Sequence, residues 1–148
     1  MTVFLPSSSV NYKFNRKKEH FMELLSLVIL LALLQYIYFA ILVGKARGTY
    51  NVDAPATTGH EVFERQYRVQ MNTLELLLVL VPCMMIFGQH VRVDVAAYAG
   101  FVFIIGRFVF LKSYMADPKK RTVGFLLSIL PILVLLLWGI FSLATKII

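Results

Sequence analysis

The sequence predicts an all-α integral membrane protein built as a bundle of four transmembrane helices. Of its 148 residues, 59% are hydrophobic and only 16% are charged, whereas soluble domains carry about 25% charged residues. Four apolar stretches are each long enough to cross a bilayer as a helix, which needs about 20 residues. The mean hydropathy of +0.74 points the same way. We therefore expect almost no soluble domain.

The first apolar stretch covers residues 22–44 and follows a polar N-terminal extension, residues 1–21. It is too long for the core of a signal peptide, so we expect it to remain in the protein. Met22 offers a second start, so the extension need not be native. The membrane domain is expected over residues 22–148.

The positions of glycine, proline and charged residues predict the remaining elements. A polar loop with glycine and proline breakers is expected over residues 45–60. The next helices are expected over residues 61–89, 95–114 and 122–145, and Pro118 could begin the last of them, since proline is tolerated in a first helical turn. Together these elements make one four-helix domain.

The net charge of +7 must lie mostly in the short polar segments. Basic loops beside apolar spans indicate anionic headgroups, and no basic stripe with interleaved aromatics suggests nucleic acid. The segments on one side of the membrane carry six basic residues, and those on the other side carry seven. This count does not decide the orientation of the protein in the membrane. A start at Met22 would make the two long loops cytoplasmic. Compact loops without a retention signal favour a bacterial inner membrane over the endoplasmic reticulum.

The second helix carries polar residues where lipid is expected. Arg65, Arg68, Asn72 and Glu75 are spaced three, four and three residues apart, so they share one helical face. A charge at the bilayer centre costs roughly 3 kcal/mol or more, and such residues normally face protein or a wet cavity. The spacing predicts a continuous polar stripe that descends into the membrane.

Other candidate residues could converge with this stripe near one membrane interface. In the third helix, Arg107, Phe110 and Tyr114 share a face by the same spacing, while Arg121 and Arg47 lie in flanking loops. Arginines bind carboxylates through two hydrogen bonds, and a carboxylate can pair with an ammonium group. An arginine beside a thiol stabilises its thiolate. The set fits a zwitterionic peptide that carries more than one carboxylate.

The residues alone leave a second interpretation open. Arg68 and Glu75 could form a structural ion pair between helices, with the loop arginines anchoring headgroups. The three histidines lack metal-ligand spacing, so no metal is expected. A small proton-coupled exporter using Glu75 would explain neither the arginines nor Asn72.

Two segments carry a family resemblance. Residues 57–75, TTGHEVFERQYRVQMNTLE, and residues 106–125, GRFVFLKSYMADPKKRTVGF, resemble the MAPEG family (membrane-associated proteins in eicosanoid and glutathione metabolism). Within it they are most similar to microsomal glutathione transferases and leukotriene C synthase. The resemblance implies a four-helix bundle that forms a homotrimer and binds glutathione between subunits, in detoxification or lipid metabolism.

The resemblance also implies roles for individual residues. Arg121 matches the arginine that holds the glutathione thiolate and is the expected catalytic residue. Leu76 and Phe110 stand where leukotriene C synthase has tyrosines, so two hydroxyl contacts with glutathione are missing. Arg107 and Phe110 are secondary candidates. The residues expected to bind glutathione are Arg47, Arg68, Gln70, Asn72, Glu75 and Tyr114, with Gln70 pointing away from the stripe and therefore serving an adjacent subunit.

The sequence therefore predicts a membrane-bound glutathione transferase. It would conjugate glutathione, its co-substrate, with lipophilic electrophiles, and the same thiolate could reduce lipid hydroperoxides. The alternative is a non-catalytic, lipid-binding scaffold of the same fold. Arg68 and Arg121 favour the enzyme, because the family's non-catalytic members lack arginines at these positions.

Overall fold

The computed structural model of the protein describes residues 7–148, with side chains from residue 16 onward. It contains four long α-helices: α1 (Ser7–Thr49), α2 (Glu61–His90), α3 (Val93–Ala116) and α4 (Thr122–Ile147). A short 3₁₀ helix, Pro118–Arg121, precedes α4. Four helices in the described part of the chain are long and apolar enough to cross a membrane. The predicted all-helical, four-span architecture is confirmed.

The first helix is longer than predicted at both ends. Of the predicted N-terminal extension, residues 1–6 lie outside the described residues, and the rest belongs to α1. At the other end, α1 continues through Thr49 instead of ending at Gly44. Val43 and Ala46 pack against Val52 and Phe63, so burial of these side chains holds the extra turn in place despite Gly44 and Gly48.

The helix α2 and the short 3₁₀ helix begin with side-chain caps. His60 Nδ1 accepts a hydrogen bond from the Val62 N–H at 3.2 Å, and Glu64 accepts one from the Gly59 N–H at 2.9 Å. Asp117 caps the 3₁₀ helix by accepting from the Lys119 N–H at 3.0 Å. Side-chain acceptors at a helix start satisfy free N–H groups. Pro118 thus begins the last helical segment as 3₁₀ rather than α-helix.

The core lies along the axis of the bundle. Val28, Leu80, Met84, Phe103 and Leu135 are almost fully buried between the four helices. Large apolar side chains on the outer surface are exposed instead, including Leu30, Leu78 and Phe141. An apolar outer surface is what contact with lipid tails requires.

Glycines bring α3 very close to its neighbours. A Cβ atom at Gly106 would lie 2.9 Å from the Leu127 backbone, and one at Gly124 would lie 2.4 Å from the Phe110 nitrogen. At Gly100 it would meet Met84 at 2.5 Å. Small residues permit such approach in membrane bundles. The contacts at Gly106 and Gly124 place the start of α4 beside the end of α3.

Candidate functional site

The polar residues of α2 separate onto two sides of the helix. Arg68 and Glu75 are exposed in the single chain, and Asn72 between them is half-buried. Their spacing of four and three residues puts them on one face. Val69 and Thr73, each one position after a member of this group, are fully buried. The face that carries charge is therefore the one that the rest of the chain leaves open.

A cavity of about 500 Å³ opens on this face. It combines charged side chains of α2 and of the α3–α4 connection with aromatic side chains of α3 and α4, and its lining residues are Arg68, Asn72, Glu75, Phe110, Tyr114, Arg121 and Phe125. One molecule in this cavity can contact cations, a carboxylate and aromatic rings together. All the predicted site residues except Arg47, Gln70 and Arg107 meet here.

The two arginines of the cavity have guanidinium groups that are free within the described part of the chain. Arg68 and Arg121 make no hydrogen bond or ion pair with any residue that the structure describes. Glu75 Oε2 accepts a hydrogen bond from Asn72 Nδ2 at 3.2 Å and does not pair with Arg68. The structural ion pair considered from the sequence is therefore not formed among the residues described in this chain, and both guanidinium groups can meet an anionic ligand.

Arg107 lies behind the cavity rather than in it, and its side chain is completely buried. Its guanidinium donates to Thr73 Oγ1 at 3.1 Å, to Asn72 Oδ1 at 3.1 Å and to the Val69 carbonyl at 3.3 Å. The guanidinium carbon also lies 4.2 Å from the ring centre of Phe110. Arg107 thus fixes the Asn72 amide, which in turn donates to the Glu75 carboxylate.

Arg65 departs from the predicted continuous stripe. Its Nη1 donates to the Met115 carbonyl at 2.8 Å, and its Nη2 pairs with Glu61 one turn earlier on α2. The last carbonyls of a helix lack partners within the helix and accept such bonds readily. Arg65 therefore ties α2 to the end of α3 and is not among the cavity residues.

Comparison with known proteins decides the family. A sequence model of the MAPEG family matches residues 25–141, which is most of the chain. The chain belongs to the MAPEG family. The resemblance predicted from residues 57–75 and 106–125 is thereby confirmed.

Several individual proteins are similar to this chain. An uncharacterised protein, sll1147 of the cyanobacterium Synechocystis, is 39% identical over 117 residues, which are 79% of this chain and 85% of that protein. Microsomal glutathione S-transferase 2 of Homo sapiens is 37% identical over 123 residues, 83% of this chain and 84% of that protein. Leukotriene C4 synthase of Bos taurus is 33% identical over 98 residues, 66% and 65% of the two chains.

Two predicted site residues of this MAPEG chain lie apart from its cavity. Arg47 Nη1 donates to the Val52 carbonyl at 3.0 Å, and its guanidinium carbon lies 4.7 Å from the ring centre of Phe63. Gln70 Nε2 donates to the Tyr36 hydroxyl at 3.4 Å, between α1 and α2. The expected convergence of Arg47 with the stripe is not found within one chain, and Gln70 points away from the stripe as anticipated.

The structure of the MAPEG chain also adds two residues that the sequence analysis missed. Phe125 lines the cavity and lies four residues after Arg121, a helical spacing that could have indicated it. Thr73 accepts a hydrogen bond from Arg107, but it lies next to Asn72 and off the polar face, so helical spacing gives no comparable signal. Phe110 and Leu76 are the two residues that stand where leukotriene C synthase has tyrosines. Phe110 lies in the cavity wall, with its ring stacked on that of Tyr114 at 5.4 Å between ring centres, whereas Leu76 is buried in the core.

Proposed function

We propose that this protein is a membrane-bound glutathione transferase. The observation that carries the proposal is the cavity in which two unpaired arginines and a carboxylate lie against aromatic walls. Family membership supports it, since similar proteins bear the names microsomal glutathione S-transferase 2 and leukotriene C4 synthase. Glutathione would be the first substrate and a lipophilic electrophile the second.

The charges of the cavity complement those of glutathione. This tripeptide has two carboxylates, one ammonium group and one thiol. Arg68 can bind a carboxylate through two parallel hydrogen bonds, Glu75 can accept from the ammonium group, and Asn72 and Tyr114 offer further polar contacts. Two guanidiniums and one carboxylate leave a positive excess, which suits a ligand whose net charge is negative.

Arg121 would supply the catalytic charge. A guanidinium beside the sulfur of bound glutathione favours the thiolate over the thiol. The thiol proton is then released to water, and the sulfur becomes nucleophilic. The thiolate then forms a carbon–sulfur bond with the electrophile as the bond to the leaving group breaks. With a lipid hydroperoxide, the sulfur would take one peroxide oxygen to give the alcohol, and a second glutathione would complete the disulfide and water.

The aromatic wall would admit the second substrate from the membrane. Phe110 and Phe125 border the charged half of the cavity, and the outer surface of the helices is apolar. An electrophile dissolved in lipid could thus reach a thiolate bound at the interface. Holding both reactants side by side replaces a bimolecular encounter with a bound one, which lowers the barrier.

The site would be completed by neighbouring copies in a homotrimer. Arg68 and Glu75 are exposed in the single chain, and charges exposed to hydrocarbon are costly. Arg47 and Gln70 lie on the same chain but outside its cavity. A partner subunit that covers the charged face and contributes its own Arg47 and Gln70 would shield these charges from lipid. It would also bring Arg47 and Gln70 to a cavity. We propose that this trimer lies in a bacterial inner membrane.

A pair of variants tests the catalytic assignment. Arg121→Ala should lower kcat/KM for conjugation of glutathione to 1-chloro-2,4-dinitrobenzene by about 10²–10³-fold, as loss of one charge-stabilising group does in other enzymes. Lys120→Ala is the matched control, because it removes the adjacent cation, which does not line the cavity. If purified wild type shows no glutathione-dependent turnover with several electrophiles, the enzyme proposal fails and a non-catalytic scaffold takes its place.

Glutathione binding is measured separately by titration calorimetry in detergent. Arg68→Ala should weaken binding by about tenfold or more, because a charge-assisted hydrogen bond contributes about 1.5–3 kcal/mol. Lys112→Ala serves as the control, since Lys112 is an exposed cation that does not line the cavity. Equal affinity in wild type and Arg68→Ala would remove Arg68 from the site.

A further inference from the structure

A second cavity lies at the opposite end of the bundle. It has a volume of about 470 Å³ and opens where α1 passes the turn between α2 and α3. Its lining comes from Lys17, Lys18 and Phe21 on α1 and from residues 88–94 around the turn. None of the residues that line the proposed catalytic cavity contributes to it.

The charge of this second cavity is positive. Its single carboxylate, Asp94, is already held by Arg92, whose Nε and Nη2 donate to the two carboxylate oxygens at 3.0 and 2.6 Å. Lys17 and Lys18 are exposed and have no hydrogen bond or ion pair with any residue that the structure describes. Two ammonium groups therefore remain free to meet an anion.

Further charges near this cavity do not cancel that excess. Glu19 and Glu23 line a separate shallow groove together with Lys18 and Met22, and neither glutamate is part of the second cavity. Lys146 of α4 donates from Nζ to the His90 carbonyl of the turn at 2.7 Å. This bond brings one more cation to the same end of the bundle.

The cavity also sits at the depth of lipid headgroups. The charge-free part of α1 begins at Leu24, so Lys18 lies about 9 Å before it along the helix at 1.5 Å per residue. The turn joins two spanning helices and therefore marks the same boundary. Beneath the lysines, Phe21, Val91 and Val93 give the cavity an apolar side. A positively charged entrance next to an apolar lining is complementary to an amphiphilic molecule with an anionic headgroup.

We infer that this cavity binds an anionic phospholipid, with Lys17 and Lys18 on the headgroup phosphate. Phe21, Val91 and Val93 contact the glycerol and the first methylene groups of the lipid. A free phosphate ion would leave this apolar wall unused, which is why the occupant is a lipid. Lys17 and Lys18 precede residues 25–141, the part matched by the family model, whereas the turn residues lie within that part. Because no residue lines both cavities, the inference is independent of the transferase proposal.

The test compares two double variants of the full-length protein in detergent. Lys17→Ala/Lys18→Ala removes the proposed contacts, and Lys119→Ala/Lys120→Ala removes the same charge from exposed positions in the α3–α4 connection. Native mass spectrometry and thermal unfolding are followed during titration with phosphatidylglycerol and with phosphatidylcholine of identical acyl chains. Circular dichroism checks that all proteins keep the same helix content.

Wild type and Lys119→Ala/Lys120→Ala should both retain phosphatidylglycerol in preference to phosphatidylcholine. In Lys17→Ala/Lys18→Ala, affinity for phosphatidylglycerol should fall by about tenfold or more, because each lysine near an anionic surface contributes a factor of about five. Equal losses in both double variants would show diffuse surface electrostatics and overturn the inference. So would equal retention of the two lipids by wild type, or an equal thermal shift from inorganic phosphate alone.

Discussion

At the scale of single residues, Arg107 shows how a cation can be kept inside a membrane bundle. No carboxylate pairs with it in the part of the chain that the structure describes. Three oxygen acceptors surround it instead, and it lies over the Phe110 ring. A planar guanidinium can reach several acceptors at fixed angles, which an ammonium group cannot. We therefore regard Arg107 as a positioning residue for Asn72 and, through it, for Glu75.

Two substitutions separate positioning from plain stability. Arg107→Lys keeps the charge but loses the bond to Asn72, so glutathione affinity should fall by about tenfold, alongside a lower Tm. Thr73→Val removes one acceptor of Arg107 without touching Asn72 and should cost about 1 kcal/mol of stability at nearly unchanged affinity. Calorimetry and thermal unfolding measure both effects. If the two variants lose affinity in proportion to their loss of stability, Arg107 has only a structural role.

At the scale of elements, the site depends on the close contact between α3 and α4. Gly124 packs against the Phe110 backbone, and Gly106 packs against Leu127. This contact sets the distance between Arg121, at the start of α4, and the aromatic pair Phe110 and Tyr114. Larger residues at either glycine would separate the helices and widen the cavity between charged and aromatic walls.

A pair of alanine substitutions in α4 tests this dependence. Gly124→Ala places a Cβ 2.4 Å from the Phe110 nitrogen, so it should destabilise the protein by about 1–3 kcal/mol, as overpacking does, and lower conjugation activity. Gly139→Ala meets only Phe87, at an ordinary 3.5 Å, and alanine favours a helix by about 1 kcal/mol over glycine. Its Tm should be unchanged or higher. A normal Tm and normal activity in Gly124→Ala would contradict the proposed helix contact.

At the scale of the whole molecule, one chain leaves its charged face uncovered. Arg68, Glu75 and Arg121 are all exposed, although the surrounding helix surface is apolar. Burying such charges against lipid is unfavourable, whereas a second copy could cover them with polar groups. In the trimer that we propose, Arg47, which lies beside Phe63 on its own chain, would reach the cavity of the neighbouring subunit.

Subunit complementation tests whether the site is shared. Arg47→Ala and Arg121→Ala should each abolish most conjugation activity when expressed alone. In a mixed trimer, an intact site contains Arg121 from an Arg47→Ala chain and Arg47 from an Arg121→Ala neighbour. With random assembly of equal amounts, about a quarter of the sites are intact, so about a quarter of the wild-type activity should return. Chemical cross-linking should give a trimer band. No recovery in the mixture would place both arginines in a site within a single chain.

The sequence by itself determined the four membrane helices and most of the polar face of α2. Both depend on local information, namely the length of apolar runs and the helical spacing of Arg68, Asn72 and Glu75. The cost of charge in lipid then singled out these residues as functional candidates. Element ends were less certain: α1 runs on to Thr49 because its last turn packs on Phe63, a contact between distant segments.

Only the tertiary structure decided which polar groups meet. Sequence spacing put Arg65 in the stripe, yet its guanidinium reaches Met115 on α3. Phe125 joins the cavity, and Arg107 turns inward to Asn72. Such contacts depend on how the helices are rotated and how closely they approach one another. Those quantities are set by packing between residues far apart in the chain, at glycines such as Gly106 and Gly124, and helical periodicity alone does not contain them.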